Sequence, residues 1–311
     1  SHAYSRQLRR CRYVDPRRVR ELAGVPKNPN GLCMLPGGVL AIASCSMQSD
    51  SKSSVKFVAA RNDCDPQSLA ACRASSLATT PFEWLNGLAL TNDGLLVCSY
   101  DGASDALYKF ATDGSMDELA TVPALADYDQ GFKRCAVHQQ TQRTYAIGED
   151  EEANQALVLL DANLQVVATV ATGGVLEDEE EGYEPICDVA VHGDQVIVPT
   201  SSSHAKGSGL QLFDLDGRFL RTIAAGQFQS PYAVTASHGR AFVVDDDVDD
   251  ESGKRGRVLF VIDIQSGDIL QRVRVDLQGE VYAILVDGDE IFISSFDAGK
   301  VVVLRHAGSE A

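Results

Sequence analysis

The feature that most limits how this chain can fold is a unit that recurs about every fifty residues. NGLCMLPGGVLAIASCS begins at Asn30, NGLALTNDGLLVCSYD at Asn86 and KRCAVHQQTQRTYAIGED at Lys133. EPICDVAVHGDQVIVPTS follows from Glu184, SPYAVTASHGRAFVVDDD from Ser230 and GEVYAILVDGDEIFISSFD from Gly279. The six starts lie 56, 47, 51, 46 and 49 residues apart. Each opens with a run of small and apolar residues, turns at a Gly-rich or polar hairpin, and continues as an aliphatic run.

A polar loop and a third run come next: SVKFVAA, ALYKFATDG, ALVLLDANL, LQLFDLDGR, VLFVIDIQSG and VVVLRHAG. Tight turns then lead to a fourth, as in MDELATVP, QVVATVAT, RFLRTIAAG and ILQRVRVDL. One such unit has too little apolar surface to stand alone, so neighbours must stack. Four-stranded antiparallel sheets repeated radially make a β-propeller, here an all-β ring of six blades. The last unit ends after three strands. RRVRELAGVP at 17–26 reads like MDELATVP, so the N-terminal strand is expected to complete the last blade and close the ring. Residues 1–16 then form a basic arm and 17–311 the propeller.

The unit NGLALTNDGLLVCSYDGASDALYKFATDG resembles an NHL repeat, as do PYAVTASHGRAFVVDDD and VYAILVDGDEIFISSFDAGKVVVL. The resemblance runs from about residue 17 to the end. It implies a six-bladed recognition or scaffold module that binds a protein or peptide, without a catalytic signature or a cofactor. NHL domains often end larger multidomain chains, and the resemblance leaves open that this chain is one piece of such a protein. The RNA-binding NHL members use a basic face, which this composition does not support.

The formal net charge is −17. Residues 1–27 carry eight basic residues against two acidic ones, which leaves −23 for the rest. Nucleic acid is therefore an unsuitable main partner, because phosphate binding runs on Lys and Arg. The acids cluster in the loops that enter the first strand of a blade or join its second and third. They include Asp101, Glu149, Asp150, Glu179, Asp246 and Asp249. Those loops are expected on one face, which would attract a basic partner. DDDVDDESGKRGR at 245–257 has carboxylates enough for calcium, but not the spacing of a known calcium loop; an exposed acidic loop with its own basic counterweight is the simpler reading.

A second candidate site is the channel mouth. Asn30, Asn86, Arg134, Glu184, Asp188, Tyr232, Glu280 and Tyr282 open the inner strands and could converge on a small ligand. Asn86 in LNGL resembles the metal-binding Asn-Gly of gluconolactonase/regucalcin-like hydrolases. That resemblance implies the alternative function, a metal-dependent hydrolase with a divalent ion, calcium or zinc, near Asn86, Glu184, Asp188 and Glu280. The Glu-Gly-Pro setting those enzymes need is absent, and Asn-Gly is also ordinary turn chemistry before a strand. Zinc lyases of the peptide-amidating kind use histidines. His138, His192 and His238 fall at hairpin turns, away from the mouth and too far apart around the ring to share an ion.

Eight cysteines without a C-x-x-C pair fit free thiols and a reducing, cytoplasmic setting. Only Cys64 and Cys72 have the spacing of a loop disulfide. No apolar run is long enough to span a membrane.

Overall fold

Strand pairing follows the repeat. The structure, a computed structural model, describes residues 14–45, 53–75, 82, 84–100, 106–112, 115, 117–151, 155–171, 186, 188–201, 208–249, 254–275, 277 and 279–306. Blade 1 contains β2 (Pro29–Leu35), β3 (Val39–Ser44) and β4 (Ser54–Ala59). Blade 2 contains β5 (Leu85–Leu90), β6 (Leu95–Ser99), β7 (Ala106–Phe110) and β8 (Glu118–Pro123). Blade 3 contains β9 (Phe132–His138), β10 (Arg143–Glu149), β11 (Gln155–Leu160) and β12 (Val166–Ala171). Blade 4 contains β13 (Ala190–His192), β14 (Gln195–Thr200), β15 (Gly209–Asp214) and β16 (Phe219–Ile223). Blade 5 contains β17 (Pro231–Ser237), β18 (Arg240–Asp249), β19 (Lys254–Asp263) and β20 (Ile269–Val275). Blade 6 contains β21 (Ile284–Asp287), β22 (Glu290–Ser295) and β23 (Lys300–His306), completed by β1 (Val14–Glu21) from the other end of the chain.

That closing strand runs antiparallel to β23, with Val14 opposite His306 and Val19 opposite Leu304. A bulge between Asp15 and Val19 takes up the extra residues. Pairing β1 removes the free edge that β23 would otherwise present. Blade 1 has three strands among the described residues. Where the sequence suggested a loop closed by Cys64 and Cys72, the chain forms α1 (Pro66–Ala74), and both thiols are free. Asp65 caps the helix by accepting from the amides of Gln67 and Ser68, and Pro66 occupies the first turn, where its missing N–H costs nothing. Arg73 donates from Nε to the carbonyl of Phe57 at 3.0 Å, so the helix covers part of the β4 edge.

The hydrophobic core is divided into six parts, each between two adjacent blades. The period-2 alternation of a strand makes this possible. In β3, Val39, Ala41 and Ala43 face blade 2, while Leu40 and Ile42 face blade 6. Each sheet is thus apolar on both faces, which explains why no blade can fold alone. The six inner strands, β2, β5, β9, β13, β17 and β21, pack one against the next around the central axis.

The 245–257 segment differs from its expectation as an exposed loop. It belongs to a long hairpin in which Asp246 lies opposite Arg257 and Asp249 opposite Lys254. The basic residues of this run therefore lie on the strand whose backbone pairs with the acidic one.

Candidate functional site

The Asn-Gly pairs sit inside inner strands and not in turns. Asn30-Gly31 lies in β2 and Asn86-Gly87 in β5. Glycine is needed there for close approach of neighbouring blades. A Cβ on Gly31 would collide with the carbonyl oxygen of Asn86, and one on Gly87 would come within 2.9 Å of the Arg134 Cα. With the strands this close, Asn30 donates from Nδ2 to Oδ1 of Asn86. Arg134, in β9, donates from Nη2 to Oδ1 of Asn30 and to the backbone carbonyl of Tyr282, both at 2.9 Å. Three of the expected mouth residues and the backbone of a fourth therefore form one network across the top of the channel. Asn30 and Arg134 are buried within it.

Asp188 is buried beside this network, just before β13. Its carboxylate accepts from the Val189 amide at 2.8 Å and from the Val234 amide of the next blade at 2.9 Å. Loss of solvent raises its pKa to about 6, a rise that the nearby Arg134 guanidinium and the two amides partly offset. Tyr282 donates its hydroxyl to Glu280 at 2.7 Å, and its ring lies 6.0 Å from that of Tyr232 and 4.9 Å from that of Phe296. Glu280 and Tyr232 therefore belong to an aromatic cluster on the blade 5 and blade 6 side. Glu184 lies outside the described residues.

Glu149 is not a solvated member of an acidic surface. It is buried at the end of β10, paired with Lys133, and accepts from the Tyr100 hydroxyl and the Gln155 side-chain amide. Lys133 also lies over the Tyr100 ring at 4.7 Å, a cation–π contact. The sequence singles out Glu149, but not Tyr100 or Gln155, which come from a neighbouring blade and the next strand.

Other acids near the ends of second strands also hold backbone. Asp245 accepts from the amides of Gln229 and Ser230 at 3.0 and 2.6 Å, and Asp297 accepts from that of Glu280 at 3.1 Å. Part of the acidic count is thus structural. Asp150 is half-buried. The backbone of Asp246 and Asp249 is in β18, while Asp101 and Glu179 lie outside the described residues.

Beneath the Arg134 network the inner strands enclose a cavity of about 510 Å³. Every blade contributes to its wall, where polar surface is about as extensive as apolar; Arg134 and Asp188 lie at the upper end, and Thr235, Gln139 and Asp287 add further polar side chains. Cys33 and Cys135 also line it. Burial pushes the Cys33 thiol up to about 12, so it is protonated and unreactive at neutral pH.

Among the described residues, no three His, Cys, Asp or Glu side chains gather as a metal set. The oxygen donors that a divalent ion would need at Asn86, Asp188 and Glu280 are engaged by Asn30, by backbone amides and by Tyr282. His192 accepts the amide of Gly239 at 2.9 Å, and its pKa is lowered by burial and, secondarily, by the neighbouring His238. Those two turns are closer than the sequence spacing suggests, while His138 pairs with Thr141. No described helix is long and apolar enough to cross a membrane.

No protein-family model matches the chain, and no curated protein matches it. Solved structures do. The computationally designed Ika8 protein is similar at 11% identity and a TM-score of 0.50, over 90% of this chain and 71% of that one. A chain of a nidogen/laminin complex is similar at 11% identity and a TM-score of 0.53, over 79% of this chain and 80% of that one. Likenesses at this identity concern the fold: the chain is a six-bladed β-propeller.

Proposed function

We propose that this propeller is a non-catalytic recognition module that binds a protein or peptide through its loop-bearing, acidic face. The observation that carries this reading is the state of the channel mouth. Asn30, Asn86 and Arg134 satisfy one another, Asp188 holds two backbone amides and Glu280 holds Tyr282. A metal hydrolase needs convergent donors with an open coordination position, and these donors are turned to structural use. The similarity to a chain of a nidogen/laminin complex supports a protein partner. The net charge of −17 supports a basic one.

The reading is tested by titrating an arginine-rich peptide against the intact chain at increasing salt. Binding is expected to weaken steeply, because exposed charges are screened over about 8 Å at physiological ionic strength. Charge reversal at Asp246 and Asp249 should weaken it further. Binding that ignores both salt and these changes removes the acidic face from consideration. A saturable thermal shift with calcium or zinc, abolished by Asn86→Ala, would instead favour the hydrolase reading.

A further inference from the structure

The outer rim of the ring is a row of strand edges, one per blade, and all but one are guarded. β1 carries Arg20 and Glu21, β16 carries Arg221, and β20 carries Arg272 and Arg274. β8 begins at Glu118 and ends at Pro123, while β4 holds Lys56 and lies partly under α1. Charges and proline on an edge, or a helix laid against it, are the usual obstacles to the addition of another strand. β12 reads VVATVA and has none of them. It is the last strand of its sheet, and among the described residues no strand pairs with its outer side.

Solvent exposure singles out the same place independently. The large apolar side chains that stand exposed among the described residues are Leu119, Val166, Val167, Phe219 and Leu220. All lie on β8, β12 and β16, the outer strands of three adjacent blades, with β12 in the middle. Val167 is 53% exposed and Val166 41%. Phe219 turns towards blade 3, since its ring lies 5.8 Å from that of Phe213 in the core between blades 3 and 4. Apolar surface gathered on an open strand edge marks an interface.

The charge of the chain restricts what can cover it. At −17, two copies repel each other over most of their surface. β12 is the outer strand along which they can meet without setting like charges side by side. The strand is also its own complement. An antiparallel pair centred on Ala168 sets Val166 opposite Val170 and Val167 opposite Thr169, so that β-branched residues face one another and the small Ala168 meets its counterpart on the axis. A two-fold axis normal to the sheet keeps each face on its own side, which brings Phe219 of both copies to the same side of the joint.

We propose that β12 is a self-association edge, through which two copies of this chain pair antiparallel and join their third blades into one continuous sheet. This surface is the rim of the ring and is independent of the acidic-face reading above.

The test is sedimentation equilibrium of the full chain over a range of concentrations and salt. A reversible dimer is expected, unchanged or strengthened by salt, because salt screens the repulsion between copies. Val167→Lys places a charge at an exposed edge position and should weaken the dimer by about tenfold or more, with little change in the thermal midpoint of the monomer. Ala168→Cys reads the pairing directly. Opposed residues of an antiparallel pair stand about 4.5–5.5 Å apart at Cα, within disulfide reach, so mild oxidation should cross-link this variant and not the parent. A chain that stays monomeric overturns the proposal. So does a dimer that withstands Val167→Lys, that dissociates as salt is raised, or that cross-links no more in Ala168→Cys than in the parent.

Discussion

Arg134 of blade 3 donates to the backbone carbonyl of Tyr282 in blade 6, directly across the ring, at 2.9 Å. The two residues are 148 positions apart in the chain. The same guanidinium holds Asn30 of blade 1, so one side chain ties three blades at the top of the channel. Arg134→Lys keeps the charge but lacks the planar fork that reaches both acceptors. We expect it to cost roughly 2–3 kcal/mol in unfolding free energy, since buried acceptors lose their partner. A variant as stable as the parent would show that the tie is incidental.

Asp188 makes stability depend on pH in an unusual direction for an acid. Its pKa in the folded chain is about 6, above the 3.8 of an unperturbed aspartate. The folded state therefore holds its proton more firmly than the unfolded one. The associated stabilisation is full below about pH 3.8 and is lost as pH rises through about 6. Two pKa units correspond to roughly 3 kcal/mol. Against Asp188→Asn, the parent should lose stability by about that amount between pH 4 and 7, measured by denaturant unfolding. A difference that stays flat over this range means that the carboxyl ionises normally.

Lys133 and Glu149 form a buried ion pair, and removing one partner leaves a charge without compensation. Glu149→Ala should destabilise the chain by about 3–5 kcal/mol, and the added change Lys133→Met should restore part of that loss. If Glu149→Ala is neutral for stability but weakens peptide binding, Glu149 is a recognition residue after all.

Strand β1 closes the ring. Deleting residues 1–21 removes the buried Val14 and uncovers the edge of β23 along Val302 and Leu304. The thermal midpoint should fall by roughly 10 °C, given about 2–4 °C per kcal/mol for chains of this order, and the product should aggregate through its open edge. An unchanged midpoint would falsify the closure.

Gly31→Ala tests the close approach of blades 1 and 2. The added methyl meets the Asn86 carbonyl, which is backbone in a packed strand and cannot easily move. A loss of about 1–3 kcal/mol is expected from such overpacking. Equal stability would mean that the inner strands can separate without cost.

Much of the architecture was legible in the sequence because strand periodicity and turn chemistry act over a few residues. NGLALTNDGLLVCSYD announces two strands and a hairpin wherever it is placed, and β5 and β6 are found there. The likeness of RRVRELAGVP to MDELATVP pointed to the closing strand for the same reason, although β1 spans Val14–Glu21 and so begins within the segment expected to be an arm. The CDPQSLAAC insertion was harder. Its helix depends on an Asp65 cap and on packing against blade 1, and the two cysteines drew attention to a bond that does not form.

The sites depended on distances that only the closed ring sets. Glu149 and Asp150 are adjacent and chemically alike, yet one is buried against Lys133 and the other is half-exposed. Which of them turns inward is decided by Tyr100 and Gln155, which come from another blade and another strand. Asn30, Asn86, Arg134 and Tyr282 were picked out as polar residues opening inner strands. Their mutual satisfaction followed from six strands meeting at one axis. The sequence alone determined the repeat, the strand order and the closure, because these rest on local pattern. The tertiary structure alone decided which polar groups are spent on one another and which, like Nε of Arg134, are buried without a partner among the described residues. Hydrogen bonds between residues about a hundred positions apart depend on ring geometry, which no local pattern encodes.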